Sequence, residues 1–522
     1  VGGNAALASL ASGALQTAVA FTAFLCSLVA ADRLFHVYVA LWHRLVARRP
    51  PESRHKFEPF PLNVEAHAAS FPHVVVQLPM FNEREVCQEV IDCACQLEWP
   101  RRRLLVQVLD DSTCEKTRVR VQERVSHWAE QGVRVQLLQR SNRHGYKAGA
   151  MSDGLAALPK GEGWEHCAVF DADFSPRPDF LLLTVPWLVH NPSLGFTQAR
   201  WTYTNASESL LTRVQEISLN YHIRCEQYAR HAAGLFFNFN GTAGVWRVAC
   251  IEDAGGWNNR TTVEDMDLSL RAFLKGWRFV FLDGVTCLNE IPAGYEAYRK
   301  QQHRWSCGPM QLWRKATSAV WQSRVGLAQK LYLNVFFFGT RLLATHVVSF
   351  GFFCVFVPLS VLFPAVTVPT WALVYVPLLV TVTTAAFSDY GLINALWYVL
   401  CENAMSIVKL SAMVSGLLEL PDAHEWVVTT KLGSFLQRTK QKVSSTLSAA
   451  GVPKPRRKVY KRELFTGVCL LAIATYGILH QGRLSYCVFL LMQGTAFCAF
   501  GLSLVDSAGR SAACGGGGCA CI

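Results

Sequence analysis

Long apolar segments alternate with one extended stretch of mixed composition along this chain. Five segments are apolar over enough residues to cross about 30 Å of hydrocarbon at about 1.5 Å per residue. They are approximately 7–30, 334–363, 370–388, 464–481 and 485–505. Between the first two lies a stretch, roughly 72–315, in which short apolar runs are separated by polar, helix-like sequence. The pattern predicts a multi-pass membrane protein with a large domain between its first and second transmembrane helices.

Three apolar runs in the mixed stretch share one form. "HVVVQLPMFNE", "LLVQVLDDST" and "HCAVFDADFSP" each begin as a buried strand and end in a loop, and the last two loops carry carboxylates. Helical patterns, such as Glu83–Gln96 and Glu115–Gln131, separate the runs. Strands that alternate with helices predict an α/β fold with a doubly wound, parallel or mixed sheet. Ligands of such sheets bind at the carboxyl ends of the strands, where these acids fall.

The segment 390–418 is long enough to span a membrane, but Glu402, Asn403 and Lys409 interrupt it. This pattern favours an amphipathic helix that lies in the membrane interface. With two crossings between 334 and 388, the basic loop that follows then lies on the same side as the α/β domain, in agreement with the positive-inside rule. The predicted units are 1–45, a transmembrane helix and juxtamembrane segment; 70–315, the α/β domain; 330–390, two transmembrane helices; 390–462, the interfacial helix and basic loop; 463–506, two transmembrane helices; and 507–522, a low-complexity tail.

Composition and charge agree with a chain that lipid partly shields from water. Of its 522 residues, 51% are hydrophobic and 17% are charged, whereas ordinary soluble domains carry about a quarter charged residues. A net charge of +12 would suit nucleic acid, an anionic membrane surface or a phosphorylated substrate. Much of the excess lies in 421–462 and 43–56, beside apolar segments, and the sequence has no nucleic-acid-binding motif. We therefore expect membrane lipid, and no nucleic acid, as a partner.

Carboxylates follow the predicted strands and open one predicted helix. Asp110–Asp111 follows one strand, Asp171 and Asp173 follow another, and Glu264 and Asp265 stand in "TTVEDMDLSLRA". A single acidic pair in a turn more often caps a helix or is solvated. Three such groups at the loops of one sheet instead favour an active site. Two oxygen ligands side by side in Asp-x-Asp suit Mg²⁺ or Mn²⁺, with a diphosphate to complete the coordination shell.

Transfer of a glycosyl group to a sugar hydroxyl also needs a general base, since a hydroxyl is a poor nucleophile. Asp265 is the candidate, and Glu264 is the alternative. One base without a second carboxylate nucleophile implies a single displacement, and hence inversion at the anomeric carbon. The motifs HExxH, G-x-S-x-G and the Walker lysine motif, which would indicate other chemistry, are absent from the sequence.

A polar and aromatic cluster in "YEAYRKQQHRWSCGP" precedes the second apolar segment. Its members Gln301, Arg304 and Trp305 could bind a saccharide, with the tryptophan ring stacked on a sugar and its neighbours bonded to hydroxyls and pyrophosphate. The alternative is an interfacial tryptophan flanked by basic anchors at the membrane boundary. Because the cluster accompanies the carboxylates, we favour the saccharide site.

In combination these motifs resemble the processive enzymes of glycosyltransferase family 2, in particular the plant and algal cellulose-synthase-like A and C branch. The resemblance covers roughly residues 70–435. It is carried by "VQLPMFNE", "QVLDDST", "NRHGYKAGAM", "FDADFSP", "VQEISLNYH", "FNGTAGVWR", "AGGWNNRTTVEDMDLSLRA" and "YRKQQHRWSCGP". It implies a glycosyltransferase A-type domain inserted between transmembrane helices.

The resemblance also implies a role for each matching position. The catalytic acids would be Asp265, as the base, together with Asp110 and Asp111, which would contact the nucleotide. Asp171 and Asp173 would hold the diphosphate through the metal. The further substrate-binding residues would be Glu83, Lys147, Glu264, Gln301, Arg304 and Trp305. For Lys147 a solvated helix position is the alternative.

The donor sugar stays open at this stage. The branch includes enzymes that make mannan or glucomannan from GDP-mannose, with GDP-glucose as a possible second donor, and others that make β-glucan backbones from UDP-glucose. We favour a β-1,4-mannan synthase that extends a growing polysaccharide, with the β-1,4-glucan synthase and a non-processive enzyme acting on a lipid carrier as alternatives. The expected location is the Golgi membrane, with the plasma membrane as the alternative.

Overall fold

The computed structural model describes residues 2–424, 458–481 and 484–505. Its centre is an eight-stranded mixed sheet with the strand order β3-β2-β1-β4-β7-β6-β8-β5. The strands are β1 His73–Met80, β2 Leu104–Asp110, β3 Val135–Gln139, β4 Trp164–Val169, β5 Phe174–Ser175, β6 Leu194–Tyr203, β7 Gly244–Arg247 and β8 Arg278–Asn289. The predicted α/β class and mixed sheet are confirmed.

The first half of the sheet is parallel, and this places the acidic loops together. Strand β1 pairs in parallel with β2 and β4, and β2 pairs in parallel with β3. Met80 is opposite Asp110, and Asp110 is opposite Gln139, so β1, β2 and β3 end at one edge. The other half is mixed, because β7 runs antiparallel to both β4 and β6 while β6 is parallel to β8.

Sixteen α-helices surround the sheet or extend beyond it within the described ranges. They are α1 Gly2–Leu41, α2 Cys87–Cys95, α3 Glu115–Glu130, α4 Tyr146–Ala156, α5 Phe180–His190, α6 Leu210–Asn220, α7 Tyr228–Ala232, α8 Val248–Asp253, α9 Glu264–Leu274, α10 Tyr295–Gln322, α11 Leu327–Leu331, α12 Val357–Ser360, α13 Val376–Ala386, α14 Ala395–Leu418, α15 Lys461–Gln481 and α16 Leu484–Gly501. Several are continued by π-helical turns, at Trp42–Ala47, Tyr221–Gln227, Tyr332–Ala344, Val347–Phe356 and Trp371–Tyr375.

Helix α2 begins at Cys87, four residues later than the hydrophobic pattern predicts. The cause lies in Asn82, which adopts a left-handed conformation with φ of 53°. Its side-chain oxygen accepts hydrogen bonds from the amides of Thr113 and Cys114, each at 3.0 Å. The loop after β1 is thereby tied to the loop after β2, which keeps it out of the helix.

Among the described residues, three helices are long and apolar enough to cross a membrane: Ala6–Ala47, Leu327–Ser360 and Lys461–Gln481. The predicted segments 370–388 and 485–505 correspond to the shorter apolar helices Trp371–Ala386 and Tyr486–Gly501. Most of the predicted basic loop, 425–457, and the tail 507–522 lie outside the described residues. The domain boundaries and the interfacial position of α14 remain predictions.

Helix α10 joins the sheet domain to the apolar helices. It packs along α14 at a point where Gly416 leaves room for the backbone, since a Cβ there would lie 2.2 Å from the carbonyl oxygen of Cys307. On α10, Gly308 directly follows Cys307, and a Cβ on Gly308 would lie 2.5 Å from Cγ1 of Val263. The two glycines therefore set how closely α10 approaches α14 on one side and the loop before α9 on the other.

A buried ionic cluster forms a second connection between the domain and the apolar helices. Oε2 of Glu226 lies 2.9 Å from Nδ1 of His222, 3.7 Å from Nη2 of Arg230 and 3.5 Å from Nε of Arg341, which belongs to the span Leu327–Ser360. Burial alone would raise the pKa of Glu226, but Arg230 and Arg341 hold it well below its usual range. The carboxylate is therefore ionised and balances the two arginines.

Glu226→Gln should destabilise the protein, because it removes the carboxylate with which Arg230 and Arg341 pair. Removal of one partner from a buried ion pair typically costs about 3–5 kcal/mol. Thermal unfolding of the purified protein in detergent should therefore begin at a clearly lower temperature. The control is Glu58→Gln, which breaks a solvent-exposed pair with Lys56 and should change little. Equal unfolding temperatures for the two variants would contradict a stabilising role of the cluster.

Candidate active site

A cavity of about 360 Å³ lies where the parallel strands end and helix α10 crosses them. Most residues that the sequence singles out line this one cavity, although they come from six separate segments of the chain. They are Glu83, Asp111, Lys147, Asp171, Asp173, Glu264, Asp265, Gln301, Arg304 and Trp305. The carboxylates expected on the donor side and the cluster expected on the acceptor side therefore share one space.

Asp110 is the exception, since it is buried and does not line the cavity. Its Oδ1 accepts a hydrogen bond from the amide of Ser112 at 3.0 Å, and its Oδ2 accepts one from Nε2 of Gln139 at 3.1 Å. These bonds tie the end of β2 to its own loop and to β3. In this arrangement Asp110 supports the loop that carries Asp111, and its contact with a nucleotide remains a prediction.

Asp111 is paired with Arg140, a residue that the sequence reasoning missed. Nε of Arg140 donates to Oδ1 of Asp111 at 2.8 Å, and Nη2 of Arg140 contacts Oδ2. The same guanidinium donates to the carbonyl oxygens of His144 and Tyr146, each at 2.9 Å. Arg140 therefore positions both the Asp111 carboxylate and the loop that leads into α4. No local sequence signal distinguishes it from the chain's many other arginines.

Lys147 lies among the carboxylates of the cavity. Its Nζ is 2.5 Å from Oδ1 of Asp171 and 3.8 Å from Oε1 of Glu264, and it donates to the carbonyl oxygen of Gly241 at 2.8 Å. Burial would lower the pKa of Lys147, but Asp171 and Glu264 raise it above its ordinary value. The ammonium is therefore charged, and the alternative of a solvated helix lysine does not apply.

Gly241 allows the backbone to approach this centre closely. Its φ is 81°, a conformation that favours glycine, and a Cβ there would lie 3.1 Å from Oδ2 of Asp265 and 3.5 Å from Nζ of Lys147. Thr242 follows it, and its hydroxyl oxygen accepts a hydrogen bond from the amide of Asp171 at 2.9 Å. The loop before β7 thus fixes one face of the site, although it carries no acidic residue of its own.

Glu264 and Asp265 form the first residues of α9. Burial, and after it the neighbouring charge of Glu264, together raise the pKa of Asp265 to about 7. Burial also raises the pKa of Glu264, while Lys147 opposes that change. A carboxylate with a pKa near neutrality is well matched to proton transfer, because it is both basic enough to accept a proton and available in its charged form.

Gln301, Arg304 and Trp305 lie on one face of α10, since residues three and four apart are neighbours on a helix. Gln301 is buried and Trp305 is half-buried against the core, and all three line the cavity. Gly308, one turn later, brings α10 against residues 262–263, which directly precede the two acids of α9. The cluster and the candidate base are therefore held at a fixed separation by helix packing.

The cavity also reaches residues of the apolar part of the chain. Its wall includes Ser218, Leu219 and His222 near the end of α6, together with Arg341 and Leu342 from the span Leu327–Ser360. Nη2 of Arg341 lies 3.1 Å from Nδ1 of His222. A space that begins at the carboxylates thus continues to a candidate membrane helix.

The fit of a divalent metal depends on Asp171 and Asp173. Within the described ranges, no group of three or more His, Cys, Asp or Glu side chains is arranged to hold a metal ion. Both aspartates nevertheless line the cavity and follow β4 in one loop. The residues therefore fit a metal that is shared with a ligand's phosphate oxygens, and they do not fit a metal held by protein alone.

Two family models match the chain. The model described as glycosyl transferase family 2 matches residues 75–250, and the one described as glycosyl transferase family group 2 matches residues 166–387. Together they cover the sheet domain, α10 and the first apolar helices after it. The fold, the shared cavity and these matches define the class as a family 2 glycosyltransferase.

Similar curated proteins narrow this class. The chain is 43% identical over 470 residues to glucomannan 4-beta-mannosyltransferase 7 of Arabidopsis thaliana. The aligned region covers 90% of this chain and 83% of that protein. It is 41% identical over 499 residues to glucomannan 4-beta-mannosyltransferase 1 of Oryza sativa subsp. japonica, with 94% of each chain covered. The protein belongs to the glucomannan 4-beta-mannosyltransferase family, and the resemblance drawn from its motifs is confirmed.

A solved structure offers a more distant likeness. A mannosyltransferase from Pyrobaculum calidifontis, in complex with GDP-Man and Mn2+, is 20% identical with a TM-score of 0.47, and the match covers 76% of this chain and 99% of that one.

The pH dependence of activity should report the pKa of Asp265. Only the deprotonated carboxylate accepts a proton, so kcat/KM for the donor should rise with pH through about 7. Glu264→Gln removes a negative charge that raises this pKa, so the midpoint should move to lower pH. The control Glu130→Gln, an exposed residue at the end of α3, should leave the profile unchanged. A midpoint that stays in place in Glu264→Gln would contradict the assignment of Asp265 as the titrating group.

Proposed function

We propose that the protein is an inverting, processive glycosyltransferase of the membrane that extends a β-1,4-linked mannan or glucomannan backbone from GDP-mannose. The observation that carries this proposal is the single cavity lined by the donor-side acids, the candidate base and the Gln301–Trp305 cluster. Family membership supports the choice of mannose over glucose.

The donor is proposed to bind with its diphosphate near Asp171 and Asp173. A Mg²⁺ or Mn²⁺ ion between them and the phosphate oxygens would stabilise the negative charge that develops on the departing nucleoside diphosphate. Lys147, which already bonds to Asp171, supplies a second cation at the same place. Asp111, held by Arg140, is proposed to face the nucleoside.

The transfer is proposed to occur in one displacement. Asp265 accepts the proton of the acceptor hydroxyl as the hydroxyl oxygen forms a bond to the anomeric carbon of the donor sugar. The bond from that carbon to the diphosphate oxygen breaks, and its electron pair leaves with the GDP. Since the nucleophile enters opposite the leaving group, an α-linked donor yields a β-linked product.

The terminal sugar of the growing chain is proposed to stack on Trp305, with Gln301 and Arg304 bonded to its hydroxyls or to the diphosphate. The partly buried ionisable residue Arg341 on the membrane side of the cavity is consistent with an exit path there, because charged groups within membrane helices usually face polar substrates or one another. A lipid-carrier glycosyltransferase would need the acids but not this cluster.

A donor screen tests the proposed substrate. Membranes that contain the protein would be offered radiolabelled GDP-mannose, GDP-glucose and UDP-glucose, and the product would be digested with linkage-specific mannanase and glucanase. We expect label from GDP-mannose in a polymer that mannanase degrades. A polymer made only from UDP-glucose would identify a glucan synthase, and a single-sugar lipid product would reject processive synthesis.

The proposed location of the protein is the Golgi membrane, with the plasma membrane as the alternative. Co-localisation of a tagged protein with markers of the two membranes would decide between them.

Asp173→Ala should abolish polymer synthesis, because the proposed metal site loses one of its two adjacent oxygen ligands. Synthesis would be measured over a range of Mn²⁺ concentrations in this variant and in Glu130→Ala, whose side chain is exposed and outside the cavity. The control should behave as the wild type. Normal synthesis by Asp173→Ala at ordinary Mn²⁺ would show that Asp171 and Asp173 form only a structural turn.

Trp305→Ala should make little product or only short chains, while nucleotide diphosphate still binds with near-normal affinity. A stacking contact contributes on the order of 1 kcal/mol beyond area burial, and the lost area adds to it, so acceptor binding should weaken by at least about tenfold. Trp321, on the same helix and exposed, provides the control. If Trp305 were only a membrane anchor, both tryptophan variants would insert less well and yet make chains of normal length per folded molecule.

A further inference from the structure

The order of the strands sets the direction in which a nucleotide would lie. Moving across the sheet from β4 to β3 one meets the loops that carry Asp171, then Phe81 and Glu83, then Asp111, and finally Arg143. Three strand spacings of about 4.8 Å make this distance about 14 Å, a length that an extended nucleoside diphosphate can bridge. If the diphosphate lies at Asp171 and Asp173, which is part of the proposed function, the base reaches the loop after β3.

Arg143 is the cation at that end of the cavity. It lines the cavity together with Phe81, Glu83 and Asp111, and its guanidinium carbon lies 3.3 Å from the centroid of the Phe81 ring and 5.2 Å from that of Tyr146. The planar guanidinium thus lies close over one aromatic ring and near a second. Aromatic rings and guanidinium planes are the surfaces on which nucleobases stack in protein complexes.

The hydrogen-bonding capacity of Arg143 is not used up within the described part of the chain. The neighbouring Arg140 pairs with Asp111 and Asp153, whereas no described carboxylate forms an ion pair with Arg143. Nε of Arg143 is buried and has no hydrogen-bond partner. An unmet donor of this kind is costly in a closed protein, and a ligand that accepts from it would remove the cost.

Guanine presents hydrogen-bond acceptors that match the N–H groups of the Arg143 guanidinium. Its O6 and N7 atoms lie side by side, and the parallel N–H groups of arginine bind this pair in a bidentate manner. Uracil has no second acceptor next to its O4 atom and cannot make the same pair of bonds. The difference gives one side chain the ability to separate guanosine from uridine donors.

We propose that Arg143 selects the nucleotide of the donor by donating hydrogen bonds to O6 and N7 of guanine in a base subsite beside Phe81. This specificity role rests on the proposed use of GDP-mannose. It assigns Arg143 to recognition of the base, whereas the sugar and the diphosphate are bound elsewhere in the cavity.

Equilibrium binding tests this proposal without any turnover. GDP, 7-deaza-GDP, which lacks the N7 acceptor, and UDP would be titrated in the presence of Mn²⁺ into the purified full-length wild type and into Arg143→Lys. Lysine keeps the positive charge but cannot make the bidentate contact. We expect the wild type to bind GDP about tenfold more tightly than 7-deaza-GDP. Arg143→Lys should bind both guanine nucleotides equally and bind GDP more weakly than the wild type does.

The matched control is Arg118→Lys. Nη2 of Arg118 donates to Oε1 of Gln139 at 3.2 Å, and the residue does not line the cavity, so this variant should discriminate as the wild type does. Unchanged UDP binding by Arg143→Lys would show that the variant is folded, and a loss of UDP binding as well would show that Arg143 does not act through guanine and would overturn the proposal.

The remaining outcomes distinguish a failure of the role proposed for Arg143 from a failure of the proposed GDP-mannose donor. A wild type that prefers GDP but binds 7-deaza-GDP equally well would overturn the role of Arg143 and leave the mannose donor standing. The same holds if Arg143→Lys retains the preference for GDP over 7-deaza-GDP. A wild type that binds UDP more tightly than GDP would overturn both the guanine subsite and the proposed donor.

Discussion

Mutual repulsion of carboxylates that share one cavity is the constraint around which this site is built. Asp171, Glu264 and Asp265 line one cavity, in which like charges are costly, and Lys147 lies among them. Lys147 and Arg304 do not neutralise these three carboxylates and Asp173, which line the same cavity, so the cavity either retains protons or attracts further cations. The pKa of Asp265, raised first by burial and then by the charge of Glu264, reflects the first outcome, and the proposed divalent metal would be the second.

The topology of the sheet makes this concentration of charge possible. Parallel strands β1, β2 and β4 end at one edge, so that the loops that follow them converge. The antiparallel strand β7 then brings Gly241 and Thr242 to the same edge, where backbone and hydroxyl groups bind Lys147 and Asp171. Helix α10 completes the site from the side of the apolar helices, with Gly308 and Gly416 setting its two contacts.

Sequence reasoning identified the acids and the Gln301–Trp305 cluster because each is a local pattern: a strand followed by a carboxylate, or residues three and four apart on a helix. It could not find Arg140 or Arg341, whose roles depend on partners far along the chain; Arg341 and His222, for example, are 119 positions apart. It also grouped Asp110 with Asp111 as cavity residues, but only Asp111 lines the cavity. Side chains of neighbouring residues along a strand point to opposite faces, so the two aspartates could not both be expected to face the same space. The antiparallel position of β7 and the late start of α2 likewise arise from tertiary pairing, which no local pattern encodes.

The most direct test of the central claim, that the cavity around Lys147 binds the donor diphosphate, is a structure of the protein with GDP and Mn²⁺ bound, determined by electron cryomicroscopy. We predict density for the diphosphate and one metal ion between Asp171, Asp173 and Lys147, with Asp265 left facing Trp305 across the open part of the cavity. A diphosphate bound outside this cavity, or bound with the metal on Asp265, would contradict the arrangement of donor and acceptor sides given above.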